Sequence, residues 1–463
     1  MTHPTRRTAL GLLTSAAAIT ALPRRAIAGG ATDLVAGVTE VQLAPVEYPA
    51  TRVWAYGGDV PGRTIRLTQG ERLTRRFRND LPEPSTVHWH GVRVPNAMDG
   101  VAGLTQDTVR PGETFLYHFD VPDAGTYWYH SHHRGWEQVA RGLSGALIVD
   151  EADGGPDVDA DEVLLIDDWR LTEEAQISDD FGALHDWAHG GRIGNWITVN
   201  GDGAWTRPVR RHQRLRLRLI NAANARIFTL DAEGLEGWIV ALDGMPLDTP
   251  KPFAGATLAP AQRIDLVVDV TAEAGEEAFL VSRERDGGYA LAAFPVDGVA
   301  AAARRGTPAA LPPNPVPALG EIDGARLATL HMEGGAMGAL EEATLGDERL
   351  GMRELAAAGK VWALNGRADM PETPLIEAGR GETVRLALRN DTAWPHGMHL
   401  HGHHFRQIGP DGSFGPLRDT LLVERAEQAE IAFVADTPGD WLLHCHMLEH
   451  AAGGMTTWIR VTG

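Results

Sequence analysis

The strongest constraint on what this chain can fold into is that it contains one segment twice. Residues 70–80 align without a gap to residues 381–391, both opening Gly-Glu and closing Arg-Asn-Asp. Each copy is followed by two histidines separated by one residue, His88 and His90 in the first, His399 and His401 in the second. Further on, Gly125 to His132 lies over Gly439 to His446, again with a pair in each: His130 and His132, His444 and His446. Side chains alternate along a strand, so histidines two apart share a face. An internal repeat is the plainest sign of architecture that one sequence offers. The two end regions are therefore expected to be copies of one β unit, each presenting two histidine pairs. A middle copy, around Arg214 to Asn221, keeps the strand pattern and lacks the pairs.

The remaining sequence fits an all-β reading. Short alternating or apolar runs bounded by turn residues recur, as in Leu73 to Phe77, Thr114 to Phe119, Val163 to Ile166, Leu215 to Ile220, Ile264 to Val268 and Val361 to Leu364. A length of 463 residues suits several domains, and 53 Gly and 28 Pro suit loop-rich β structure. The expected boundaries are 29–157 and 158–297 for the first two units, an Ala/Pro-rich linker at 298–318, and 319–463 for the third. Residues 1–28 read as a twin-arginine-type export signal. Arg6-Arg7 precede an apolar run from Ala9 to Leu22, and Ala26-Ile27-Ala28 offers a cleavage site. That run is too short to span a bilayer, and no later one approaches the required length. The mature protein is expected to be exported, periplasmic or extracellular, monomeric and without membrane insertion. A net charge of -20 argues against nucleic acid and anionic membranes as partners, and attracts cations.

The chemistry gathers around His444-Cys445-His446. Cys445 is the single cysteine, so no intramolecular disulfide exists, and a free thiol outside the cytoplasm would oxidise unless it were occupied. His450 and Met455 follow it, giving a thiolate, an imidazole and a thioether. That soft set suits a blue copper centre, with His396 the candidate for the missing imidazole. If residues 444–446 are extended, Cys445 points to one face and the two histidines to the other, so one strand can serve two metal sites. The four pairs supply eight imidazoles, four from each copy, for a cluster where the two copies meet. Ser131 stands where the second copy has Cys445, so only one blue site is expected.

With these motifs the chain resembles the multicopper oxidases, the family of laccases and bacterial cuprous oxidases. The likeness rests on His88-Trp89-His90-Gly91, Trp128 to His132, His396 to Gly402 and His444 to His450 with Met455. It implies three cupredoxin-like Greek-key β-sandwich domains and four copper ions. By resemblance His396, Cys445, His450 and axial Met455 would hold the type 1 copper, and His88 and His399 the type 2. The two type 3 coppers would fall to His90, His130, His132, His401, His444 and His446. The implied reaction passes single electrons from a reductant through Cys445 to the cluster, where dioxygen becomes water. Asp99 resembles the family's proton-relay acid, although a turn aspartate before Gly100 reads equally well. The acid that some relatives carry after the second type 1 histidine is here Ala451, which leaves a second relay in doubt. Asp391 reads as a strand-end turn, because Asp80 holds the same place in the first copy. His133, His403 and His404 fall outside the ligand pattern, and His185 with His189 reads as a solvated helical pair.

The reductant is the least determined feature. Met332, Met337 and Met352 lie with Glu333, Glu341 and Glu342 in residues 331–356, and thioethers favour Cu(I). A cuprous substrate held there competes with a flexible loop carrying incidental Met, and with an organic phenol or aromatic amine as substrate. An exported copper-binding or electron-transfer protein would need only the type 1 set, and the eight paired histidines argue against it. Copper nitrite reductases resemble two-domain chains, which the three-domain reading disfavours.

Overall fold

The computed structural model describes residues 32–285 and 287–463; the export signal expected at residues 1–28 lies outside them. The repeat seen in the sequence is a repeat of strand pairing. Arg72–Asn79, Arg214–Asn221 and Thr383–Asn390 each lie between a parallel and an antiparallel neighbour. The parallel partners are Thr32–Val41, Ala160–Trp169 and Arg326–Gly334. The antiparallel partners are Thr114–Asp120, Arg263–Val270 and Gln428–Val434. A second sheet faces each of these. In the first it runs Gly62–Thr68, Ser144–Asp150, Gly125–His130, His88–His90; in the third, Ile376–Gly379, Thr456–Thr462, Gly439–Cys445, His396–Leu400, Thr420–Val423. The middle pair follows the same plan with Val209–Arg211, Gly287–Val299, Glu277–Glu284, Phe228–Glu233 and Ala256–Leu258. The fold is all-β and cupredoxin-like, three times over.

Local sequence explains the strands. In Thr383–Asn390, Val384, Leu386 and Leu388 alternate into the core while Arg385 and Arg389 turn outward. Arg214–Asn221 departs from that plan, since all eight residues are buried. Its alternating arginines face acids. Arg214 pairs with Asp269 (2.7 Å), Arg216 with Glu151 (2.8 Å) and Asp265 (2.7 Å), and Arg218 with Asp161 (2.7 Å). Glu151 follows the last strand of the first unit, so this row joins two sandwiches by charge.

The repeat also places the histidine strands in equivalent register. His88 lies opposite His130 in the first sandwich, and His399 opposite His444 in the third. The two sandwiches meet through Arg93, which bonds Asp123 (2.7 Å) on its own side and Asp436 (2.8 Å) on the other. The Asn96 amide donates to the Asp440 carbonyl (2.6 Å) across the same seam. Both histidine-bearing strand pairs thus face one shared cavity.

Candidate metal centres

The first centre is made by Cys445 at the end of its strand, His396 on the neighbouring strand, and His450 on the short helix Leu448–Ala452. The Nδ1 atoms of His396 and His450 are 3.1 Å apart, and Cys445 Sγ lies 3.7 and 3.8 Å from them. Three soft donors therefore converge on one point. The far ring edges explain which atoms remain free. His450 Nε2 donates to the His189 carbonyl (2.7 Å), which fixes the proton there and leaves Nδ1 with its lone pair. His396 Nε2 is 2.8 Å from Thr392 Oγ1, whose own proton is engaged by Asn390 Oδ1 and the Trp394 carbonyl. The fully buried Met455 donates its backbone N–H to His450 (2.9 Å) and accepts that of Cys445 (3.1 Å), which ties it beside both ligands. Trp362 covers the group, its ring 4.5 Å from that of His450 and 5.1 Å from that of His396.

Burial sets the protonation of this centre. It pushes the Cys445 thiol up to about 12, partly offset by backbone hydrogen bonds from Met447 and Gly397. It pushes His450 down to about 4 and His396 well below the usual imidazole range, the latter helped by the neighbouring ring. Both imidazoles are thus neutral donors near neutrality, while the thiol must lose a proton to bind metal.

The second centre holds the eight paired histidines. Ligand atoms of His88, His399 and His401 lie within 4.8 Å of one another, as do those of His88, His90 and His130, and of His132, His401 and His444. His446 Nε2 joins at 3.4 Å from His130 Nε2. For most of these rings Nδ1 is used outward and Nε2 is left for the cavity. His88 Nδ1 meets the Asp99 carbonyl (2.8 Å), His130 that of Ser131 (3.0 Å), His399 that of Asp419 (2.9 Å) and His444 that of Cys445 (2.9 Å). His90 is reversed: its Nε2 faces Asp419 Oδ1 (3.4 Å), so Nδ1 is its free donor. Burial first, then crowding by neighbouring imidazoles, holds His90, His130, His132, His401, His444 and His446 far below the ordinary histidine range. Eight clustered imidazoles with buried, unpartnered nitrogens such as His88 Nε2 and His399 Nε2 cost desolvation energy unless something accepts their lone pairs. A cluster of copper ions fits that donor set.

Two carboxylates hold the cluster from behind. Asp99 is buried, and its oxygens lie 3.0 Å from His401 Nδ1 and 3.2 Å from His88 Nδ1, so it bridges rings from both sandwiches. It is a turn residue as well. Gly100 has φ +87°, and a Cβ there would collide with the Val87 carbonyl just before His88. Asp419 is the residue that sequence reasoning missed. It receives Arg263 of the middle sandwich at 2.8 and 2.5 Å and stands against His90, His399 and, at 3.7 Å, His404. An Asp-Thr pair after the second histidine in both copies, Asp107-Thr108 and Asp419-Thr420, was its only signal in the sequence.

The other candidates are dispersed. His403 and His404 are buried behind the cluster, His403 Nδ1 donating to the His401 carbonyl (3.1 Å). Asp391 bonds Arg389 (2.6 Å) and His331 (2.7 Å), as Asp80 bonds Arg78 (2.8 Å), in keeping with a strand-end role. The three methionines do not share one cluster. Met332 is fully buried in the core of the third sandwich, its strand position turning it inward against Leu364, which favours the packing reading of this residue over that of a ligand to substrate copper. Met352 packs with Leu355 and Ala343, and Met337 alone is exposed, at 79%.

Comparison with known proteins supports the same chemistry. A multicopper oxidase family profile matches residues 37–154 and another matches residues 346–463. The multicopper oxidase MmcO of Mycobacterium tuberculosis is 30% identical over 441 residues, covering 88% of this chain and 83% of that protein. Copper resistance protein A of Pseudomonas syringae pv. tomato is 26% identical over 592 residues, with 95% of each chain covered. The crystal structure of Lac15, from a marine microbial metagenome, is 42% identical with a TM-score of 0.76, covering 93% of this chain and 100% of that one.

Proposed function

The chain belongs to the multicopper oxidase family, and on that premise we propose that it couples oxidation of cuprous ion, one electron at a time, to four-electron reduction of dioxygen to water. The observation that carries the reading is the joint arrangement of Cys445 and eight clustered imidazoles on one strand pair and its copy. Copper bound to these residues would supply one-electron acceptance at Cys445, His396, His450 and Met455, and dioxygen reduction at the histidine cluster. The protein's own part is to connect and to orient. Cys445 is peptide-bonded to His444 and His446, so electrons cross from one centre to the other through a few covalent bonds. The Asp99 carboxylate lies at hydrogen-bonding distance from His401 and is the group suited to hand protons inward. Asp419 holds the reversed ring of His90.

The choice of cuprous ion over a phenol rests on the type 1 histidine. His450 is fully buried and its far nitrogen is spent on a main-chain carbonyl, so no organic ring can rest on that imidazole edge. The similarity to a protein named for copper resistance points the same way. Export by the segment at residues 1–28 and the three-unit division at 157, 297 and 318 belong to this proposal. Oxygen uptake by copper-loaded protein tests it, with Cu(I) in a weak chelator against a methoxyphenol with and without added Cu(II). Rapid uptake with Cu(I), and phenol oxidation only when Cu(II) is present, is expected. Phenol oxidation without added copper would mean an organic substrate, and about one copper per chain after full loading would remove the oxidase reading altogether.

A further inference from the structure

One turn occurs in all three sandwiches and differs in a single side chain. Asn79, Asn221 and Asn390 each close a central strand and are fully buried. In every copy the side-chain oxygen accepts the backbone N–H two residues on, from Leu81, Ala223 and Thr392, each at 3.0 Å. Such an Asx turn is made by the asparagine, so the third residue is free to vary. The first two copies place an apolar side chain there and the third a hydroxyl. Six residues after the asparagines come Ser85, Ile227 and His396. Hydroxyl and imidazole are thus present together in one copy and absent together from the other two.

The two groups meet. Thr392 Oγ1 lies 2.8 Å from His396 Nε2, and both residues are buried. A hydroxyl has one proton, and that of Thr392 faces Asn390 Oδ1 (2.8 Å) and the Trp394 carbonyl (2.9 Å), neither of which can donate. The Trp394 backbone N–H donates to the same hydroxyl oxygen (3.1 Å). Thr392 therefore meets the imidazole as an acceptor. His396 Nε2 carries the proton, and Nδ1 keeps its lone pair toward Cys445 and His450. His450 reaches the same tautomer by donating to the His189 carbonyl. That acceptor belongs to the main chain, whereas the one for His396 belongs to a single side chain.

We propose that Thr392 is a positioning residue that sets the donor strength of His396, and through it the potential at which the type 1 centre accepts an electron. The inference rests on the copper reading of Cys445, His396, His450 and Met455 given above, and deepens it. An imidazole whose far N–H is held by an oxygen acceptor is more basic at its other nitrogen. A more basic donor stabilises Cu(II) more than Cu(I), so the Thr392 hydrogen bond lowers the potential. Removing the hydroxyl leaves a buried N–H unpaired and makes the pocket less polar, and both changes favour the lower charge. The hydroxyl thus opposes burial, which by itself raises the potential.

The test is a redox titration of the blue absorption band in copper-loaded parent, T392V and T392S. Valine keeps the shape of threonine without the hydroxyl, and serine keeps the hydroxyl. In T392V the ratio of reduced to oxidised type 1 copper at one applied potential is expected to rise about tenfold, which for one electron is a shift of about 59 mV. In T392S the ratio is expected to stay within about threefold of the parent. Copper content and the type 2 electron-spin signal check that each variant is folded and loaded. If T392V does not load, the parent supplies the reading: in its diamagnetic Cu(I) form, NMR is expected to show the His396 Nε2 proton exchanging slowly with solvent, and free exchange would overturn the proposal. Equal potentials in parent and T392V with the blue band intact, or an equal shift in T392V and T392S, would overturn it alone. A fully loaded parent with no blue band would overturn it together with the type 1 reading. A shift confined to T392V, in a protein that takes up no dioxygen with Cu(I), would uphold the role of Thr392 and overturn only the oxidase reading.

Discussion

Cys445 shows how a single residue is prepared for one ligand. Its thiol is held protonated up to about 12 by burial, whereas His450 has shed its proton by about 4. Copper loading at this centre should therefore release one proton, from sulfur alone, and type 1 affinity should rise about tenfold per pH unit through the neutral range. Proton release in weakly buffered solution measures it, and C445S should release none and lack the blue band. Glu449 titrates in the opposite sense. Burial raises its carboxyl from 4.5 to about 7, although the Asn224 amide donates to it at 2.8 Å. The folded state holds a proton that the unfolded chain loses, so the stabilisation is complete below the ordinary carboxylate range and is lost as pH rises through about 7. The change is on the order of 3 kcal/mol. Denaturation midpoints followed from about pH 4 to pH 8 should fall in the parent and flatten in E449Q.

At the level of strands and their contacts, the middle sandwich does more than its lack of ligands suggested. Arg263, Arg216 and Arg218 sit on its strands fully buried, and each meets a carboxylate of a neighbouring unit: Asp419, Glu151 and, at 3.5 Å, Asp150. Removing one partner of such a pair strands the other charge, so R216M should lower stability by about 3–5 kcal/mol, read from chemical denaturation. D419N should cost a similar amount. Unlike R216M, it should also reduce copper occupancy of the histidine cluster, seen by metal analysis and by the type 2 electron-spin signal, because His90 loses the acceptor that turns it. The sequence could not reveal these contacts. Period-two alternation in Arg214–Asn221 predicts a strand, but an arginine facing water and one facing a buried acid have the same pattern. Asp419 was hidden for a related reason: its partners come from three separate stretches of chain.

Across the whole molecule, what could be read beforehand was what repeats. The four histidine pairs, the strand carrying Cys445 and the copied strand pattern were legible because duplication compares the chain with itself. The methionine stretch had no second copy to check it, and burial of Met332 there depended on a strand pairing the local sequence does not announce. Because the cluster draws four histidines from each end sandwich, copper should fasten the two together. Loading the protein is expected to raise its thermal midpoint well beyond what C445S, which fills only the cluster, achieves, with scanning calorimetry separating the two contributions. The seam itself depends on Arg93 and Asp436. The duplicated plan also contains one decisive asymmetry. Where the third sandwich has Cys445, the first has Ser131, whose hydroxyl is occupied with Gln138 at 2.5 Å. A sulfur on both sides would have made the cluster a junction, free to pass charge through to a second outlet. In the proposed reaction, oxygen on one side would make it a terminus: charge would collect there in sequence, from one direction, and leave only as chemistry.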